Sequence, residues 1–374
     1  MRSPSRVTRV AVPLILGGLL LAAMTTPAQS AVTDKGDGST WEPRNGARPA
    51  PVGSDPFRPG ESYTGDFPDP SVMRVGSRFY AASTTIAGLN LPMTTSTDLS
   101  VWTSRPASDP DQPRVNDAMP QPAVWARKNR ASGGRTFGAT WAPTVLRMRE
   151  GKYLAAYSVP RARDGRRCVS IARARNPLGP YVDATRSPLT CVGGGAIDPS
   201  VFRDRGKVWL LYKREGQPDK ILVRRLNASA SRFAPRSRNT KLLAPKRKWE
   251  GQVVENPAML RYNHRLYLFY SGNGYGSPAY STGHAVCRSV TGPCKRLGRL
   301  LSSDAELAGP GGAAPFFDLA GGLRLAYHAW RTGNVGYPSQ DECLGTADGC
   351  AQRRLYIATL APGTGDPLVV VQRH

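Results

Sequence analysis

Beyond residue 60 the chain alternates short apolar runs with clusters of Gly, Pro, Asn and Asp. Five runs stand out: Phe79 to Ser83, Tyr153 to Ser158, Val208 to Tyr212, Leu266 to Tyr270 and Leu323 to Trp330. Each is rich in aromatic and aliphatic residues and bounded by turn formers, which predicts a β-strand. No stretch sustains helical periodicity, and 33 prolines and 39 glycines leave little room for long helices. The pattern predicts an all-β chain.

The runs belong to a repeat. Prolines 70, 143, 199, 257 and 315 each precede one of them, at spacings of 73, 56, 58 and 58 residues. A module of that length holds about four short strands, which is one propeller blade. The expected fold is a five-bladed β-propeller over residues 61–374, after a polar leader at 31–60. A duplicated β-sandwich is the alternative, and fivefold recurrence suits it poorly. The last run, Leu355 to Leu360, is expected to pair with the N-terminal segment and close the ring.

Composition changes the picture at the N-terminus. Arg2, Arg6 and Arg9 precede an apolar stretch from Ala11 to Met24 and a small-residue site after Ser30. That order predicts a secretory signal peptide over residues 1–30, hence a secreted, extracellular protein with no membrane association after cleavage. An oxidising compartment suits six cysteines. Proximity suggests the pairs Cys168–Cys191, Cys287–Cys294 and Cys343–Cys350, one of 15 connectivities that six cysteines allow. No Cys-x-x-Cys spacing favours zinc instead.

The formal net charge is +24, and loss of the three leader arginines leaves +21. Anionic partners are one reading of such a surplus. The other is a solvated surface of scattered cations, since the densest clusters, Arg161 to Arg175 and Lys241 to Lys248, lack interleaved aromatics. No nucleic-acid motif is present, and nucleic acid is not an expected partner.

Candidate chemistry lies at the head of the repeats. Asp69-Pro70, Asp198-Pro199 and Glu255-Asn256-Pro257 place acids there, and Trp141-Ala142-Pro143 has the same shape without one. In a propeller the innermost strands surround the axis, so separate blades can deliver these acids to one pocket. Glycoside hydrolysis needs one carboxyl as proton donor and another to activate water or attack the sugar, with environments that hold them in different protonation states. Asp before Pro is also an ordinary turn initiator; recurrence with Glu255 is what favours chemistry. Glu250 is a rival acid five residues earlier. Gly272-Asn273-Gly274-Tyr275-Gly276 is no dinucleotide loop, because its glycine spacing is wrong and no βαβ unit follows.

Phe67-Pro68-Asp69-Pro70-Ser71-Val72, Trp141-Ala142-Pro143, Ala196-Ile197-Asp198-Pro199-Ser200 and Glu255-Asn256-Pro257 resemble the successive signatures of glycoside hydrolase family 43. Asp98-Leu99-Ser100-Val101-Trp102, Gly179-Pro180-Tyr181 and Gly309-Pro310-Gly311-Gly312 with Tyr327-His328 are similar to its weaker traits. The resemblance spans roughly residues 63 to 360 and implies an inverting hydrolase of arabinose- or xylose-containing plant or cell-wall glycans, acting as a monomer. It implies Asp69 as general base, Glu255 as general acid and Asp198 as the residue that tunes and orients the acid. Phe67 and Trp141 would line the sugar pocket. Arg331, which follows the strand of His328, has two readings from its place alone: contact with a sugar hydroxyl, or an ordinary surface position. His328 would stand near the central channel, holding a water or, through water, a metal. No cofactor is required, although a structural calcium ion in the channel fits the resemblance. Asn256 departs from the Gly or Ala usual after the family's acid.

An α-L-arabinofuranosidase or arabinanase is the favoured activity. A β-xylosidase is disfavoured because those enzymes often carry a further β-sandwich. Fructan-acting propellers resemble Arg-Asp-Pro and Glu-Cys, where this chain has Ile197-Asp198-Pro199 and Glu255-Asn256. A non-catalytic glycan-binding propeller would be expected to have lost an acid.

Overall fold

The structure is a computed structural model that describes residues 65–86, 88–103, 116–130, 136–148, 151–337, 351–365 and 367–373. The leader and signal segments and the Cys343–Cys350 pair lie outside the described residues. The rest form a five-bladed β-propeller. Blade I holds β1 (Ser71–Val75), β2 (Arg78–Ala82), β3 (Pro92–Ser96) and β4 (Asn116–Asp117), followed by a small hairpin of β5 (Asn129–Arg130) and β6 (Thr136–Phe137). Blade II holds β7 (Trp141–Arg147), β8 (Tyr153–Pro160) and β9 (Arg167–Ala174). Its fourth position is filled by single bridges, Arg173 to Val182 and Val169 to Thr190, rather than a strand. Blade III holds β10 (Gly195–Asp204), β11 (Lys207–Glu215), β12 (Lys220–Leu226) and β13 (Thr240–Leu243). Blade IV holds β14 (Val254–Tyr262), β15 (Arg265–Gly272), β16 (Ser281–Cys287) and β17 (Cys294–Leu301). Blade V holds β18 (Leu307–Phe317), β19 (Leu323–Arg331), β20 (Arg354–Pro362) and β21 (Leu368–Arg373).

The five apolar runs are the second strands, β2, β8, β11, β15 and β19. A second strand has a sheet neighbour on each side and a packed blade on each face, so it reads as nearly continuous apolar sequence. Every residue of β8 is buried. The core is correspondingly divided into layers between blades. Met73 and Met93 meet Tyr157 and Tyr181; Leu154 meets Val201 and Leu210; Phe202 and Leu211 meet Leu268. Phe269 meets Phe317 and Leu325, and Phe79 meets Phe316 across the last seam. Each fully buried side chain of this kind contributes about 1.5–3 kcal/mol.

Each four-stranded blade is built from one contiguous segment, in chain order from axis to rim. Among the described residues Leu355 to Leu360 does not pair with the N-terminal segment: the run lies in β20, which pairs with β19 along Arg354 to Thr359 and with β21 along Ala358 to Pro362. Closure falls just upstream, where Phe67 donates its amide to the Arg353 carbonyl at 2.8 Å and Arg353 donates its own to Asp66 Oδ1 at 2.8 Å.

Among the described residues two disulfides are formed. Cys168–Cys191 ties β9 to the outer segment of blade II, and Cys287–Cys294 closes the β16–β17 hairpin. Asp98 makes the expected turn, accepting from the amides of Ser100 and Val101 while Trp102 Nε1 donates to the Leu99 carbonyl.

Candidate active site

Backbone geometry at the head of the inner strands places the acids. Asp69, Ala142, Asp198, Asn256 and Gly312 all have positive φ, between 42° and 62°. Each stands two residues before the residue that pairs with the second strand: Ser71 with Ala82, Thr144 with Ala156, Ser200 with Leu211, Ala258 with Phe269, Ala314 with Ala326. In blades II to V a register shift brackets the position, the signature of a bulge that re-aims side chains. In the first four blades the next residue is proline, which normally forces its predecessor into extended backbone, so the left-handed turn is a local cost that packing must hold.

Register corrects two sequence assignments. Pro315 is not the fifth repeat proline; Ala313 occupies that place. Glu255 is not at the position of Asp69 and Asp198 either. Asn256 is, and Glu255 precedes it, level with Trp141 and Ile197. The bulge supplies the extra residue that allows both blade heads to present an acid.

A set of hydrogen bonds runs between blades at this level. Asp69 donates its amide to His328 Nδ1 at 2.9 Å, Ala142 to Thr84 Oγ1 at 2.8 Å, Asn256 to Asp198 Oδ2 at 3.0 Å and Gly312 to Ser271 Oγ at 2.9 Å. Each acceptor belongs to the preceding blade of the ring. The three acids are thereby gathered at one end of the axial channel, whose wall includes Asp69, Asp198, Asn256 and Gly312.

Asn256 joins all three. Its amide bonds Asp198, and its Nδ2 lies 3.4 Å from Asp69 Oδ1 and donates to the Tyr280 hydroxyl at 3.1 Å. Tyr280 in turn donates to Glu255 Oε1 at 2.8 Å. Lys213 Nζ donates to Glu255 Oε2 at 2.8 Å and pairs with Asp219 at 2.9 Å. Asp69 also accepts from Thr84 Oγ1 at 2.7 Å, and Arg353 Nη1 stands 3.5 Å from its other oxygen.

The electrostatics differ from site to site. Burial pushes the Asp198 carboxyl well above its usual range, with the charge of Glu255 adding to the push and Lys213 opposing it. Burial works against the Lys213 charge, but Glu255 and Asp198 outweigh it and hold the ammonium protonated. Burial keeps His328 neutral, far below the ordinary histidine range, and the nearby Arg353 charge acts in the same direction. Asp66, beside Arg353, is raised to about 6 by burial, against the pull of that guanidinium.

Other expected site residues fare differently. Phe67 is fully buried in the seam cluster with Phe79, Trp102 and Phe316, so it offers no face to a sugar. It precedes Asp69 by two, and the chain turns between them. Trp141 is 38% exposed, and the Arg167 guanidinium lies over its ring. Arg331 sits at the exposed end of β19 and forms no ion pair with the three acids. Glu250 is fully buried, paired with Arg296 at 2.7 Å and accepting from Tyr270, which makes it a structural acid.

His328 is fully buried, with Tyr280 stacked at 5.8 Å. A Cβ on Gly312 would crowd its ring and Asp69, and one on Gly311 would overlap Tyr280. Because Nδ1 accepts from Asp69, the proton is on Nε2, an atom without a protein partner. A protonated nitrogen cannot ligate a metal directly. Calcium asks for six to eight oxygens, and among the described residues no three His, Cys, Asp or Glu side chains are grouped closely enough to hold one ion. The residues present do not fit a directly coordinated calcium.

Lys213, Tyr280, Arg353, Thr84 and Arg167 escaped the sequence analysis. Arg167 approaches from blade II, its basicity lowered to about 9 by burial against the pull of Glu215 and Asp198. Lys213 carried the only available signal, a lysine inside the otherwise apolar run of β11.

A propeller whose blade heads converge three carboxylates, one beside a lysine and one between a threonine hydroxyl and an arginine, has the form of a glycosidase site. The sequence agrees with that class. The model of Glycosyl hydrolases family 43 matches residues 63–346, and the chain belongs to that family. It is 28% identical over 167 residues to an extracellular endo-α-(1→5)-L-arabinanase of Thermotoga petrophila, covering 38% of this chain and 33% of that one. The matched part spans about a third of the length of such curated relatives. A thermostable family-43 glycoside hydrolase superposes with a TM-score of 0.66 at 22% identity, covering 87% of this chain and 96% of the other. An endo-1,4-β-xylanase of Bacteroides thetaiotaomicron gives 0.64 at 24% identity, covering 83% and 96%. No helix among the described residues is long and apolar enough to cross a membrane.

Proposed function

We propose that the chain is a secreted, monomeric glycoside hydrolase that cleaves arabinose-containing glycans with inversion, as an α-L-arabinofuranosidase or arabinanase. The observation that carries this is Asn256 tying Asp69, Asp198 and, through Tyr280, Glu255 into one cluster. The contacts in series leave no more than about 9 Å between Asp69 Oδ1 and Glu255 Oε1, a bound that admits the spacing at which an inverting pair encloses a water. In this reading Asp69, cradled by Thr84 and Arg353, takes a proton from water as it attacks the anomeric carbon. Glu255 delivers a proton to the leaving oxygen. Asp198, pushed upward by burial and by the charge of Glu255, tunes and orients the acid. Trp141 with Arg167 forms one wall of the pocket. Secretion is supported by the signal-type leader and by relatives named as extracellular.

Turnover of nitrophenyl α-L-arabinofuranoside, the matching β-xyloside and linear arabinan, with the product anomer read by NMR, tests the proposal. Release of the inverted anomer from an arabinose substrate is expected. Failure on all three, or turnover unchanged in Asp69→Asn and Glu255→Gln, overturns it.

A further inference from the structure

The outer half of blade III carries charge that the candidate site does not use. Between Lys220 and Lys248 there are ten lysines and arginines and no acid. This segment comprises β12, a loop, edge strand β13 and the link to blade IV. Arg232, Arg236, Arg238, Lys241, Lys246 and Lys248 are all exposed. Among the described residues none of the six is in an ion pair. Three cations on other strands, by contrast, are neutralised: Arg261 by Asp204, Arg296 by Glu250 and Arg324 by Asp318.

The strip is built on an ordered frame. Asn227 Oδ1 accepts from the amides of Ser231 and Arg232 at 2.8 and 3.3 Å. Ser237 Oγ donates to the Ala234 and Arg225 carbonyls, and Arg224 donates to Ser237 while covering the Phe233 ring at 4.0 Å. One arginine is thus spent on packing, and its loop holds others outward in fixed positions, which lowers the ordering cost of binding. Protection of a free sheet edge with charge would explain Lys241, the only one of the six on β13.

Register gives the strip a direction. The β12 start pairs with Arg214 at the end where Ile197 and Glu215 lie, the far turn closes at the opposite end, and β13 returns to pair with Ile221. Residues 244–253 then lead to β14 and Glu255. The cations therefore run along the rim from the far end of the blade back toward the acids, off the axis and clear of the pocket.

We propose that this strip is a docking surface for a carboxylated polysaccharide, a polyuronate that holds the protein beside its substrate. Guanidinium forks match carboxylates well. Stacking aromatics of the kind that single-stranded nucleic acid requires are missing from the strip, where Phe233 lies under Arg224. The choice of polymer rests on the proposed glycan-hydrolase reading; the existence of the surface does not.

The test measures binding of the whole protein to fluorescent polygalacturonate by anisotropy. Binding at about 50 mM NaCl should weaken at least about tenfold by about 300 mM, as expected for a multi-contact ionic interface. The triple variant Arg232→Glu, Arg236→Glu, Arg238→Glu should lose at least about tenfold in affinity at low salt. Its thermal midpoint and its turnover of neutral nitrophenyl arabinoside should match the parent. A control, Arg78→Glu, Arg265→Glu, Arg288→Glu, makes the same charge change on blades I and IV and should retain most binding. Absence of binding at low salt overturns the proposal. So does an equal loss in both triples, or duplex DNA bound as tightly as the polyuronate. Loss of arabinoside turnover in the parent, with polyuronate binding intact, counts against the hydrolase reading alone.

Discussion

The backbone amide of Asn256 donates to Asp198 at 3.0 Å while its side-chain amide reaches Asp69 at 3.4 Å. One residue thereby fixes the relative positions of two blades at the point where the acids converge. Its φ of 48° suits asparagine and glycine better than other residues. Asn256→Gly keeps that backbone and the amide bond but removes the link to Asp69 and Tyr280. The expected result is a fall of about tenfold in kcat/KM, or about 1.4 kcal/mol of transition-state stabilisation, with little change in thermal midpoint. Asn256→Val cannot sit comfortably at positive φ and should cost about 1–3 kcal/mol of stability, read by urea titration.

Glu250 and Glu255 are separated by function as well as by register. Glu255→Gln should lower kcat on an arabinoside with an unactivated leaving group by at least about a hundredfold and leave folding intact. Glu250→Ala should do the opposite. It strands the Arg296 guanidinium in a buried setting, a loss of about 3–5 kcal/mol, while the surviving folded fraction keeps its turnover. Kinetics and denaturant titration on the two variants check both halves.

Lys213 is the charge that opposes the upward push on Asp198. In Lys213→Met the Asp198 carboxyl should hold its proton to higher pH, moving the limb of the kcat/KM profile that it governs upward. The parent and variant profiles measured over the same buffers decide this; an unmoved limb would mean that Lys213 acts only as packing.

Asp66 gives a pH signature in stability. Its unfolded carboxyl titrates near 3.8 and its folded one at about 6, so the folded chain binds that proton more tightly. The contribution to stability is full below about pH 4 and is lost as pH rises to about 6. The thermal midpoint of the parent relative to Asp66→Asn should therefore fall between those values and level off above them.

The two disulfides should differ in worth. Cys168–Cys191 spans 23 residues and Cys287–Cys294 spans 7. Loop closure predicts about 3 kcal/mol lost on replacing the first pair with alanine and about 2 on replacing the second, measurable by equilibrium unfolding.

The fold was legible where burial was two-sided. Second strands such as β8 announce themselves as apolar runs, and the repeat of prolines placed them in five blades. The inner strands were hidden because each contains, or in β1 directly follows, a left-handed residue and a proline that no strand pattern includes. The same feature displaced Glu255 by one position, since a bulge changes register without changing composition. Asp69 and Asp198 were readable because the motif recurs. Tyr280 and Arg353 were not, as a tyrosine beside a strand and an arginine before one have many ordinary uses. Phe67 belongs to the motif that carries the resemblance, but the turn between it and Asp69 sends its ring into the seam rather than the pocket.

Among the described residues no blade borrows a strand from another segment of the chain. There the ring is shut by side-to-side packing and by short links such as that between Asp66, Phe67 and Arg353. Asp69 lies two residues from that link, and its amide is pinned to His328 on the other side of it. The candidate base therefore sits at the clasp of the ring. Parting the clasp would disarm the site while the other four interfaces stayed packed, so loss of activity on heating should precede loss of the sheet signal.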